Sequence, residues 1–219
     1  NYSIGSSSFA TGPDDVAFLF AADAGVFVAT SNGNSGPLPA TTGSPASVPW
    51  LTSVGASTQD RTFEGSVITD GGNEFFGASI TDGTNTLQLV DSADAGSELC
   101  IPGDLEPTVV TGKIVLCKRG AIACVRKSAA VQQAGGAGMI LYNGNDGDSQ
   151  NTDGHAVPSV LINNTDGLVI KGYIASAATP VASIVGGEAT TADAPYMAGF
   201  SSRGPNRLSA DIIKPDVTA

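Results

Sequence analysis

The chain has 219 residues, 41% of them apolar, enough for one or two domains with a real core. Its 28 glycines and 12 prolines, set against few aromatics, point to many turns and short strands rather than long helices. A net charge of −11 excludes nucleic acid and anionic membrane as partners, since both demand basic patches, and no apolar run approaches the ~18 residues of a membrane span.

Asn1-Tyr2-Ser3-Ile4-Gly5 reads as a strand rather than a leader, and without an initiating Met the expectation is a piece of a longer chain. Residues 13–24 (PDDVAFLFAADA) carry a helix signature: Pro13 and the acids Asp14 and Asp15 suit a first turn, and Val16, Leu19, Phe20 and Ala24 share a face. Gly25 stops that helix, and a strand over 26–30 follows, with Phe27, Val28 and Ala29 expected to be buried. The strand runs out into Ser31-Asn32-Gly33-Asn34-Ser35-Gly36-Pro37, a burst of small polar residues and glycine. A turn region spans 45–49, and LTSVGAS (51–57) is a second short strand.

The texture changes after residue 65. Asp70-Gly71-Gly72 and Asp82-Gly83 separate short alternating runs that read as hairpins. TGKIVLC (111–117) is a buried strand, Cys124 to Ala134 a helix with Val125, Ala129, Val131 and Gln132 periodic, and MILY (139–142) a strand. VPSVLI (157–162) is another strand, residues 164–176 a helix capped by Asn164 or Thr165, and Val181–Val185 the closing strand. This β-α-β-β-α-β layout is large enough to be a domain. Residues 195–219 then return to the style of the first 60, as when one domain interrupts another, which is tolerated where the ends of the insertion lie close together.

Several stretches carry a plain reading. QQAGGAGM (132–139) follows a helix and lacks a phosphate-binding glycine pattern, so it is a helix-to-strand turn. The acidic NGNDGDSQNTDG (143–154) lacks the register of a calcium loop and reads as solvated surface. Asn163-Asn164-Thr165 is a glycosylation sequon. The one histidine, His155, reads as a loop or packing residue. The cysteines Cys100, Cys117 and Cys124 allow one disulfide and one free thiol, with Cys100–Cys117 and Cys100–Cys124 each able to staple a loop. Their spacing fits no zinc pattern, so no metal site is expected, and an acidic, Gly-, Ser- and Thr-rich chain with one bridge suits a secreted protein.

SNGNSGP (31–37), FSSRGP (200–205) and KPDVTA (214–219) together resemble the subtilisin-like serine proteases, in the order strand, helix, "NSGP" loop, "SVGAS" strand, "FSSRGP". Residues 98–185 resemble the protease-associated domain, which interrupts such proteases between the last two segments. The resemblance implies an α/β fold: part of a subtilisin-like parallel sheet domain over 1–65 and 190–219, interrupted by a mixed α+β protease-associated domain over 66–189. It also implies that Asn34 donates its side-chain N–H to the oxyanion of a tetrahedral intermediate. Ser3, Ile4 and Gly5 then form a strand against which peptide substrate pairs, and Ser31, Asn32 and Gly33 line the facing wall of the specificity pocket. Arg203 ties loops and carries no catalytic role.

The family's acid and base motifs and its nucleophile motif do not occur in these 219 residues, so the chain by itself is expected to be inactive. The expectation is thus the central part of a secreted serine endopeptidase with a peptide or protein substrate. No cofactor is expected, although the resemblance leaves room for structural calcium in the parent. A truncated parallel sheet exposes apolar surface through which a homodimer can form. The alternative is a non-catalytic module in which the protease-associated domain binds peptide or protein and the flanks scaffold it.

Overall fold

The structure is a computed structural model that describes residues 12–145 and 149–219. The chain divides into two units. One comprises the described residues up to Asp60 together with Asp193–Ala219; the other is Arg61–Ala192.

The first unit holds one helix, α1 (Pro13–Asp23), and a three-stranded parallel sheet ordered β1 (Ala29–Ser31), β2 (Thr52–Gly55), β10 (Val217–Thr218). Pro13 in the first turn and the Asp15 carboxylate, which accepts the Gly12 N–H at 3.1 Å, start the helix where the sequence places it. Asp15 is also its one buried residue: Ser44 Oγ donates to its carboxylate at 2.6 Å and Trp50 Nε1 to its carbonyl at 3.0 Å. The apolar face behaves differently from expectation. Val16, Leu19 and Phe20 are exposed, and so is Phe27, at 80%. The strand begins only at Ala29, and within it Thr30 is the buried residue. An isolated three-stranded sheet supplies too little surface to cover both faces, as a parallel sheet requires.

The second unit is a closed barrel in the order β3-β4-β8-β7-β6-β5-β9. Strands β3 (Arg61–Thr69) and β4 (Glu74–Ala78) form the hairpin expected around Asp70-Gly71-Gly72. Asp82-Gly83 makes none: β5 (Leu87–Asp91) leaves β4 to pair in parallel with β6 (Ile114–Lys118) and antiparallel with β9 (Val181–Thr191). Parallel pairing continues from β6 to β7 (Gly138–Tyr142) and β8 (Ser159–Ile162). A single helical turn, α2 (Pro107–Val110), precedes β6; α3 (Cys124–Gln133) crosses from β6 to β7 and α4 (Asn164–Ser176) from β8 to β9. The cap of α4 is Asn163, ahead of the expected Asn164 or Thr165, and its side-chain oxygen accepts the Asp166 N–H at 2.7 Å.

Every residue of β7 and β8 is buried, and the period-2 alternation divides them between two cores. Val115, Cys117, Met139 and Leu141 pack with Ala130, Val131 and Ala134 of α3. Ile114, Leu116, Ile140 and Tyr142 pack with Ile170 of α4 and with Val67 and Ile184 across the barrel. Burial on both faces is what makes these strands continuous apolar runs in sequence.

The sequence-based boundaries at 65/66 and 189/190 fall inside β3 and β9. These strands pair from Arg61↔Thr191 inward, so the second unit extends to the ends of that ladder and its entry and exit points are neighbours.

Candidate active site

Strand β1 aligns in parallel with β2 through Ala29↔Thr52, Thr30↔Ser53 and Ser31↔Val54, and the Asn32 N–H continues the ladder to Val54 O at 2.8 Å. The alternation of the strand therefore carries through residue 32: Thr30 and Asn32 face inward and Ser31 faces out. The Asn32 side chain is 2% exposed and its Nδ2 donates to Ser202 O at 2.6 Å. Of the three residues expected to line a pocket wall, Ser31 is exposed and Gly33 half-buried, but the Asn32 carboxamide is turned away from solvent. This follows from strand geometry, which sends neighbouring side chains to opposite faces.

The chain leaves the strand at Gly33, whose φ of +99° suits a residue without Cβ. Asn34 is exposed at the crest of the turn, and both of its neighbours are fastened. Gly33 O accepts the Ser202 N–H at 2.9 Å, and the Ser35 N–H donates to Ser202 Oγ at 3.0 Å. One residue further on, the Gly36 N–H donates to Phe200 O at 2.8 Å. Ser3, Ile4 and Gly5 lie outside the described residues.

FSSRGP is threaded between this turn and the rest of the unit. Ser201 Oγ accepts the Ala56 N–H at 3.0 Å. Arg203 spreads its guanidinium over three backbone carbonyls, those of Ser201, Met197 and Ala198, which is the loop-tying role expected of it. Its N–H donates to Thr41 Oγ1 at 2.8 Å. Below the sheet, Lys214 is buried and its Nζ bridges Leu51 O at 2.9 Å and Asp216 Oδ2 at 2.7 Å. Burial pushes the Asp216 carboxyl up, but the Lys214 ammonium and the Ser53 N–H and hydroxyl outweigh it and hold the group below its ordinary value. The strand-to-loop polar residues of this unit are thus held by segments far apart in sequence, a pattern no local signal announces.

In the second unit the disulfide is Cys100–Cys117, with Cα atoms 5.7 Å apart and a sequence separation of 17; Cys124 is a free, half-buried thiol at the start of α3. Lys171 of α4 bridges Asp91 at 3.0 Å and Glu98 at 3.1 Å. The hydrogen bond from Lys171 is the largest influence on Glu98 and holds its carboxyl below the ordinary value. His155 Nδ1 lies 3.1 Å from Ser128 Oγ, which also accepts the Ala156 N–H at 3.1 Å, so the histidine packs a loop onto α3. Burial lowers its pKa. Among the described residues no group of three or more His, Cys, Asp or Glu is arranged to hold a metal, and no helix is long and apolar enough to cross a membrane.

Residues 84–170, within the second unit, match the family model of the PA domain. Over 206 residues the chain is 45% identical to subtilisin-like protease SBT1.4 of Arabidopsis thaliana, an alignment covering 89% of this chain and 26% of that protein. Over 209 residues it is 40% identical to subtilisin-like protease SBT1.6 of the same plant, covering 91% of this chain and 27% of that protein. Among solved structures it is similar to the psychrophilic subtilisin-like protease Apa1 from Pseudoalteromonas sp. AS-11, with 18% identity and a TM-score of 0.43, over 90% of this chain and 56% of that one. The chain spans about a quarter of the length of the curated relatives it matches. The chain thus carries a PA domain and is similar, over most of its length, to a segment of the subtilisin-like proteases.

Proposed function

We propose that the parent protein is a secreted serine endopeptidase and that this segment supplies its oxyanion donor, Asn34. The observation that carries the reading is the β1 turn itself: an exposed carboxamide at the end of a parallel strand, with the backbone on either side fixed by hydrogen bonds. A donor held in place before charge develops lowers the barrier without reorganising when the tetrahedral oxyanion forms. Ser3, Ile4 and Gly5 pair with the substrate backbone as an added strand, Ser31 and Gly33 border the side-chain pocket, and Asn32 supports that wall from behind. The nucleophile, base and orienting acid come from the parent outside this segment, so the segment alone cleaves no peptide. The PA domain gates the cleft or engages peptide or protein. No cofactor takes part in the chemistry.

Asn34→Ala in the full-length parent is expected to lower kcat on a peptide substrate by about 10²–10³, the loss already known for such a donor in subtilisin, with little change in KM. An unchanged kcat overturns the assignment. A fluorophosphonate probe is expected to label the parent and not the 219-residue segment; labelling of the segment would reveal a nucleophile within it.

A further inference from the structure

We infer that Ser202 is the positioning residue of the oxyanion turn, an inference that rests on the proposed role of Asn34. Ser202 is 1% exposed, and all three of its polar groups are spent on the turn. Its N–H donates to Gly33 O at 2.9 Å, its carbonyl accepts Asn32 Nδ2 at 2.6 Å, and its Oγ accepts the Ser35 N–H at 3.0 Å. One residue thus brackets Asn34, holding the peptide unit before it and the peptide unit after it. Phe200 O extends the bracket by one position, through the Gly36 N–H.

The geometry is more specific than loop packing demands. Asn32 is buried with its Nδ2 on Ser202 O while its Oδ1 has no partner among the described residues. Leaving a buried amide oxygen unpaired costs stability, and a small apolar residue would avoid that cost. The arrangement instead keeps a bond that fixes the turn to Ser202. A hydroxyl with a fixed donor on the Asn34-Ser35 peptide restricts the backbone torsions that aim the Asn34 carboxamide, and misplacement of a catalytic group by about 1 Å is enough to lose on the order of 100-fold in rate. Ser202 touches neither substrate nor the reacting atoms in this scheme; it acts through Asn34.

The test is a double-mutant cycle in the full-length parent, with kcat expressed per titrated active site. Ser202→Ala keeps the two backbone bonds and deletes the acceptor of the Ser35 N–H. It is expected to lower kcat about 10- to 100-fold with KM for a peptide substrate nearly unchanged. Because Ser202 acts only through Asn34, the N34A/S202A double variant is expected to be no slower than N34A alone. A role confined to stability would lower Tm and leave kcat per active site intact, and that result overturns the inference. So does a double variant slowed by the product of the two single losses. If N34A itself retains full kcat, the oxyanion reading falls and the bracket falls with it; if N34A is impaired and S202A is not, the bracket alone falls. Should S202A fail to accumulate, Ser202→Cys keeps the shape with a weaker acceptor. It is expected to give a reduced kcat at unchanged KM, and full kcat in that variant overturns the inference.

Discussion

His155 is the one histidine of the chain, and its surroundings fix the sign of its effect on stability. Burial lowers its pKa below the ordinary value of 6.5, against a smaller opposing influence of Asp153. The unfolded chain therefore binds the proton first, and stability is fully present above 6.5 and declines as pH falls through the lowered pKa. Glu98, also depressed, acts in the same direction further down, losing its contribution as pH falls below its ordinary 4.5. His155→Gln is expected to flatten the urea midpoint of the PA domain between pH 7 and 5 while leaving the loss below pH 4.5 in place. An unaltered slope in that upper window would separate His155 from the pH response. Part of this was readable in sequence, since a lone histidine in a loop is a packing residue far more often than a base. What was not readable is its partner: Ser128 lies 27 positions away, on a helix whose buried face includes Lys127 and Ser128. Of the periodic set Val125, Ala129, Val131 and Gln132, only Val131 is fully buried, because tertiary contacts settled which side of this short helix turned inward.

Among the elements, α4 shows how tightly the barrel strands dictate their cover. A Cβ built on Gly167 would run into Cβ and Cγ of Tyr142, both in the core beneath the helix. The glycine sits one turn into α4, where its low helix propensity is a cost, and the close approach to β7 is what it secures. Gly167→Ala is expected to destabilise the PA domain by about 3 kcal/mol, on the order of 10 °C in Tm; a calorimetric Tm within 2 °C of the parent would show that the helix can shift without penalty. The strands and helices from Ile114 to Ile184 were legible because parallel strands buried on both faces read as unbroken apolar runs between helical periods. The Asp82-Gly83 hairpin failed because Gly83 is held against Ile184 O of β9 rather than turning back on β4. Two-residue β10 and one-turn α2 are too short to leave a periodic trace. In the candidate site, the "NSGP" pattern located the turn, but the inward aim of Asn32 and the hold exerted by Ser202 depend on a segment 170 residues away.

Across the molecule the two units differ in completeness. The PA barrel closes on itself and leaves no open edge. Residues 61–192 expressed alone are expected to unfold in a single cooperative transition with a dispersed amide spectrum; a non-cooperative melt would show that they need the flanks. The other unit presents β1 and β10 as open sheet edges among the described residues, with Phe20, Phe27, Leu38 and Ile213 exposed at 67%, 80%, 70% and 83%. The pairing of Arg61 with Thr191 bears on how such a chain assembles. Once the barrel has formed, its end residues Arg61 and Thr191 are paired, so the host meets a short tether where its sequence has about 130 intervening residues. By the logarithmic dependence of ring-closing entropy on length, that difference amounts to roughly 4 kcal/mol. The guest thereby relieves its host of most of the entropic penalty of the interruption, provided that it folds first.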